Sequence, residues 1–153
     1  MGRLENKKAV ITGGTSGIGE ATAVMFAKEG AEVVITGRNA EKGEAIVKKI
    51  TDAGGKAWFF QADITQKENM QKLYDFAVEK MGAVNVLMNN AGVLVHKPFL
   101  EQNDDDLNLI FSTNFRPYIW GMQQFIPGMV EQGGGSIINV ASISSFWLIQ
   151  HCV

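Results

Sequence analysis

The chain has 153 residues, enough for one domain with a core of its own. Its 14 basic and 16 acidic side chains leave a net charge of −2, which excludes a general pull towards nucleic acid or an anionic membrane, and no apolar run is long enough to span a bilayer. Cys152 is the only cysteine, so an internal disulfide is excluded, and His96 and His151 stand far apart without partner cysteines, so no metal site is expected.

The stretch Met1 to Lys8 carries no apolar leader, and a cytoplasmic protein is expected. Ala9-Val10-Ile11 then reads as a buried parallel strand, apolar on consecutive residues. It runs into Thr12-Gly13-Gly14-Thr15-Ser16-Gly17-Ile18-Gly19, and a helix follows at once, with Ile18, Ala21, Thr22 and Met25 on one face. The glycines let the backbone turn sharply and approach a ligand, while free amides and the positive end of the helix dipole attract an anion. The natural occupant is the pyrophosphate of a dinucleotide, held by Gly13, Thr15, Ser16, Gly17, Ile18 and Gly19. The competing reading is a plain strand-to-helix turn.

Gly30 suits the end of this helix, and Glu32 to Gly37 is the second strand. Where it ends, an acid would serve the 2′-hydroxyl of NAD and an arginine the 2′-phosphate of NADP. Here Arg38 follows Gly37 and no acid is present, so NADP(H) is expected in preference to NAD(H), against the alternative of a solvated surface arginine. Asn39 can cap the second helix, whose inward stripe is Ile46, Ile50 and Ala53, with Gly54-Gly55 ending it. Lys56 to Gln61 is the third strand. Thr65-Gln66-Lys67-Glu68 reads as a capping box opening a third helix with Met70, Leu73, Tyr74, Ala77, Val78 and Met81 inward and Gly82 as its stop. Val84 to Met88 is the fourth strand and runs into Asn89-Asn90-Ala91-Gly92, small residues that let the backbone lie beside a ligand.

The turn Thr12-Gly13-x-x-x-Gly17-x-Gly19 and the later Asn89-Asn90-Ala91-Gly92 resemble two motifs of the classical short-chain dehydrogenase/reductase family, in the same order and each after a strand. The resemblance covers Met1 to about Ser145. It implies an α/β fold, a Rossmann-like doubly wound parallel sheet of order 3-2-1-4-5. It also implies an oxidoreductase passing hydride between NADP(H) and a small-molecule carbonyl or alcohol. From charge and hydropathy no nucleic acid or membrane partner is expected, and a homo-oligomer is expected. Asn90, Ala91 and Gly92 would line the cofactor. Asp63 and Ile64 would lie against the adenine ring, and the rival for Asp63 is a loop aspartate serving backbone donors.

Asp104-Asp105-Asp106 reads as the solvated first turn of a long helix continuing through Leu107, Ile110, Phe111, Asn114, Phe115 and Tyr118, with Pro117 bending it. Asn114 matches the family's asparagine, which holds a water for proton relay; a structural asparagine on a freed carbonyl is the alternative. Pro127, Gly128 and Gly133-Gly134-Gly135 break the chain before the fifth strand, Ser136 to Val140. At its end Ser142 best matches the catalytic serine, its hydroxyl bonding the substrate oxygen, with Ser144 second and ordinary turn chemistry the alternative.

The family then supplies its acid and base from a Tyr-x-x-x-Lys pair about a dozen residues on, one helical turn apart. Here the tyrosines are Tyr74 and Tyr118, followed four residues later by Val78 and Met122. The expected organisation is a dinucleotide-binding domain over residues 1–145 and an apolar tail over 146–153 unlike the family, with the family's later strands missing. A change of reading frame near Phe146 and an early stop accounts for such a tail; DNA beyond codon 153 is the check. An open edge at Ile137, Ile138 and Val140 would pair with another chain or be covered by the tail. The alternative function is a truncated dinucleotide-binding module with little or no turnover.

Overall fold

A strand that is apolar on consecutive residues needs two covered faces, and β1 (Lys8–Thr12) has both. The computed structural model of the chain describes residues 2–142. Val10 turns towards one layer with Val34 of β2 (Glu32–Gly37) and Leu87 of β4 (Val86–Asn89). There α3 (Glu68–Met81) brings Met70, Leu73, Ala77 and Met81, and α5 (Arg116–Glu131) brings Phe125 and Met129. Ile11 turns the other way with Val33, Ile35 and Met88, under Ala23 and Ala27 of α1 (Gly17–Lys28) and Ile46 and Ile50 of α2 (Ala40–Asp52). With β3 (Lys56–Gln61) and β5 (Ser136–Asn139) the sheet has five parallel strands in the order β3-β2-β1-β4-β5. This is the expected doubly wound arrangement, helices on both faces.

Several local expectations are corrected. Ile18, Ala21, Thr22 and Met25 do share a face of α1, but it is the outer one, with Ile18 64% and Met25 51% exposed. The inner face is Gly19, Ala23 and Ala27, because small side chains let this helix lie close on the sheet. Asn39 caps α2 as expected, its Oδ1 accepting from the Lys42 N–H at 2.8 Å; Ala53 falls beyond the last turn and is exposed. The capping box at Thr65 does not form. The Asp63 carboxylate takes both the Thr65 N–H (2.9 Å) and hydroxyl (2.8 Å), so α3 opens at Glu68 without a side-chain cap.

The long helix from Asp104 is three pieces: α4 (Asp104–Ile110), a π-helical turn Phe111–Phe115, and α5. The extra residue of the π turn interrupts the regular α-helical ladder between them. Pro117 sits in the first turn of α5, where its missing N–H costs nothing. Pro127 and Gly128, expected as breakers, lie inside α5. The helix runs on to Glu131 because Phe125 is buried edge-on against Tyr74, ring centroids 5.1 Å apart, and Gly128 leaves room for the Tyr74 hydroxyl. β5 is an edge strand, with Ile137 half-buried and Ile138 38% exposed. The expectations at Ser144, at the boundary near residue 145 and for the tail lie outside the described residues.

At the start of α4 a full capping box joins Asn103 and Asp106, and the Lys97 ammonium meets Asp106 at 2.6 Å. The Lys97 hydrogen bond and then the Asn103 backbone N–H hold the Asp106 carboxyl below its usual range. A carboxyl depressed by folding stabilises at neutral pH, and that contribution is lost as pH falls through its folded value, below about pH 4. Asp106→Asn is therefore expected to be less stable than wild type in urea at neutral pH, with the difference shrinking as the pH falls below the ordinary carboxyl range.

Candidate dinucleotide-binding site

Sheet order reverses between β1 and β4. Their loops leave to opposite faces and open a crevice at the carboxyl ends of the strands, where α/β sheets bind ligands. The two loops touch at one point. Gly13 holds a left-handed φ of +65°, and a Cβ there would stand 2.7 Å from the Ala91 Cα. Buried Thr12 ties the loops further. Its hydroxyl accepts from the Asn90 N–H (3.0 Å) and the Ala91 N–H (3.2 Å) and donates to the Met88 carbonyl (3.4 Å). The Asn90 carboxamide reaches back, donating to the carbonyls of Thr12 (3.0 Å) and Gly13 (3.2 Å). Gly19 lies beneath; a Cβ on it would press the Asn90 amide nitrogen at 2.6 Å. Thr12→Val leaves two amides without their acceptor, an expected loss of about 1–3 kcal/mol in thermal unfolding.

Above this knot is a cleft of about 540 Å³, within the range of small-molecule sites. It gathers every cofactor residue expected from the sequence except Gly19. Gly13, Thr15, Ser16, Gly17 and Ile18 come from the first turn, Arg38 from the end of β2, Asp63 and Ile64 from the end of β3, and Asn90, Ala91 and Gly92 from the end of β4. Gly17, Ile18 and Gly19 open α1, so their amides have no partner one turn earlier. Ser16 at the N-cap is extended, with φ −166°, and its side chain makes no cap bond, leaving those amides to an external anion. Gly17 has φ +55° and open space where a Cβ would go. Gly37 is bare for packing: a Cβ there would meet the Thr15 hydroxyl at 2.8 Å.

The remaining residues divide. Arg38 is exposed, and its guanidinium forms no ion pair among the described residues; its carbonyl accepts from Gln61 at 3.0 Å. Ile64 is 7% exposed and belongs to the core as much as to the cleft. Asp63 serves Thr65 in the way its rival reading expects, yet still lines the cleft. Asn114 projects from the π turn to the loop after β4, accepting from the Val93 N–H and donating to the Val93 carbonyl, both at 2.8 Å. It does not line the cleft. Neither does Ser142, which is exposed just beyond Val140, where the Val140 N–H donates to the Asn89 carbonyl at 2.9 Å.

Sequence reading missed Thr36, Val93, Leu109, Ser112 and Thr113, all on the cleft wall. Leu109 reaches it from α4, and Ser112 and Thr113 from the π turn, which has no local signature. A second hollow of about 570 Å³ lies at the opposite ends of the strands, around Glu5, Lys8, Glu32, Lys56 and Asn85. It has no helix N-terminus, and Lys56, one of its two lysines, is paired with Glu32 at 2.7 Å, so it lacks the amide cradle that a diphosphate takes.

Residues 7–152 match the family described as short chain dehydrogenase. The chain belongs to the short-chain dehydrogenase family. Its relatives in this family include the 3beta-hydroxysteroid dehydrogenase of Mediterraneibacter gnavus, 38% identical over 145 residues, 94% of this chain and 52% of that protein. A 2,5-dichloro-2,5-cyclohexadiene-1,4-diol dehydrogenase of Sphingobium indicum is 39% identical over 92% of this chain and 56% of its own. The chain thus spans about half the length of these short-chain dehydrogenases. Among solved structures, a 7 alpha-hydroxysteroid dehydrogenase complexed with NADH and 7-oxo glycochenodeoxycholic acid superposes with a TM-score of 0.93 at 35% identity, over 97% of this chain and 58% of that one. A metagenomic short-chain oxidoreductase in complex with NADP gives 0.89 at 29% identity, over 95% and 66%. No helix among the described residues is long and apolar enough to cross a membrane.

Proposed function

We propose that this short-chain dehydrogenase chain binds NADP(H) and belongs to an oxidoreductase acting on a small carbonyl or alcohol. One observation carries the reading: the uncapped amides that open α1 face the crevice where Gly13 abuts Ala91. When bound, the nicotinamide supplies the hydride. The amides of Ser16, Gly17 and Ile18 hold the diphosphate, Arg38 pairs with the 2′-phosphate, and Asp63 and Ile64 flank the adenine. Asn90, Ala91 and Gly92 form the floor. The Ser142 hydroxyl bonds the substrate oxygen, and Asn114 anchors the cleft-side loop through Val93. The exposed β5 edge supports self-association.

A second reading, dinucleotide binding without turnover, is favoured by the phenols. Tyr74 packs against Phe125, and Tyr118 donates its hydroxyl to the Val140 carbonyl at 3.2 Å while burial raises its pKa. Neither lines the cleft, and these 153 residues hold no Tyr-x-x-x-Lys pair. NADPH titration followed by a turnover assay on a panel of carbonyls separates the two. Binding with turnover supports the first reading and binding alone the second; no binding contradicts both.

A further inference from the structure

Thr36 closes the run Val33-Val34-Ile35 on β2 and is fully buried, yet its hydroxyl has no hydrogen-bond partner among the described residues. Buried hydroxyls nearly always have one. The neighbours explain why none is available inside the protein. Thr36 pairs in register with Thr12 on one side and Phe60 on the other, so these side chains share its face of the sheet. The Thr12 hydroxyl is saturated, accepting from Asn90 and Ala91 and donating to Met88, and Phe60 has no polar atom. Below lies Val34, in the apolar core. What remains is the cleft, whose lining includes Thr36 together with Arg38 and Asp63.

We infer that the Thr36 hydroxyl is a binding residue for the adenosine half of the dinucleotide, whose polar atoms give it the partner it lacks in the free protein. The inference rests on the dinucleotide reading above. The end of the second strand is where such folds meet the adenosine ribose, so the contact is with that half rather than with the nicotinamide. Threonine stands here in place of the valine of equal shape that a buried strand would otherwise use, at a cost to the free chain that binding repays.

Thr36→Val removes the hydroxyl and keeps the volume. Its expected effects have opposite signs: Tm equal to or above wild type, and affinity for NADPH and for adenosine 2′,5′-bisphosphate lowered about 5–10-fold. Thr36→Ser, which keeps the hydroxyl, should hold affinity within about 2-fold. Calorimetric titration of the full chain with both probes, and a thermal melt of each variant, read these out. Unchanged affinity in Thr36→Val, or an equal loss in Thr36→Ser, overturns the inference while leaving the dinucleotide site intact. A lower Tm in Thr36→Val shows a partner inside the free protein and also overturns it. A wild-type chain that binds neither probe nor NADH overturns it together with the proposed function.

Discussion

Gly13→Ala is expected to lower stability by about 2–5 kcal/mol and to remove measurable NADPH binding. Two costs add. The residue holds φ +65°, a region that strains any side chain, and the new Cβ would stand 2.7 Å from the Ala91 backbone, which cannot swing aside as a flexible side chain could. Relief requires the β1 and β4 loops to part, and that pulls Asn90 away from the carbonyls of Thr12 and Gly13. Gly54→Ala is the control. Gly54 has φ +83° but nothing within 4 Å of its Cβ position, so it should show the backbone strain alone, about 1 kcal/mol, with binding unchanged. Urea denaturation and NADPH titration of the two variants measure the difference.

Arg38→Gln is expected to weaken NADPH about 10–100-fold and NADH by less than about 3-fold. The guanidinium is exposed on the cleft with no internal ion pair among the described residues, so its removal leaves no buried charge and little effect on folding. The discrimination comes from the 2′-phosphate alone, since NADH lacks the group that the fork would grip. Raising salt should narrow the gap between the two cofactors, because an exposed pair is screened. Equal losses for both cofactors would remove the case for NADP preference.

The fold was legible where the hydrophobic period was unambiguous. Strands with consecutive aliphatics, such as Val33 to Ile35, announced burial on both faces, and β2 and β3 begin and end where the sequence placed them. The turn after β1 was legible because its glycines have a backbone reason: Gly13 and Gly17 hold φ near +60° and Gly19 has no room for a Cβ. What failed was packing that depends on partners distant in sequence. The inner face of α1 is its small residues rather than its large ones, which only the distance to the sheet decides. The Asp63 carboxylate outcompeted a local cap at Thr65. Pro127 lost to the burial of Phe125 and Met129 around it. The π turn that brings Asn114 to Val93 and Ser112 and Thr113 to the cleft has no sequence period of its own. The orphaned hydroxyl of Thr36 shows only once its register partners are known.

Backbone amide NMR of the chain titrated with NADPH shows where the diphosphate sits. The largest shifts are expected at Ser16, Gly17, Ile18 and Gly19, with smaller ones at Gly13 and Asn90. Shifts confined to the hollow around Glu5, Lys8 and Asn85, or no shifts at millimolar cofactor, would contradict a diphosphate held at the start of α1.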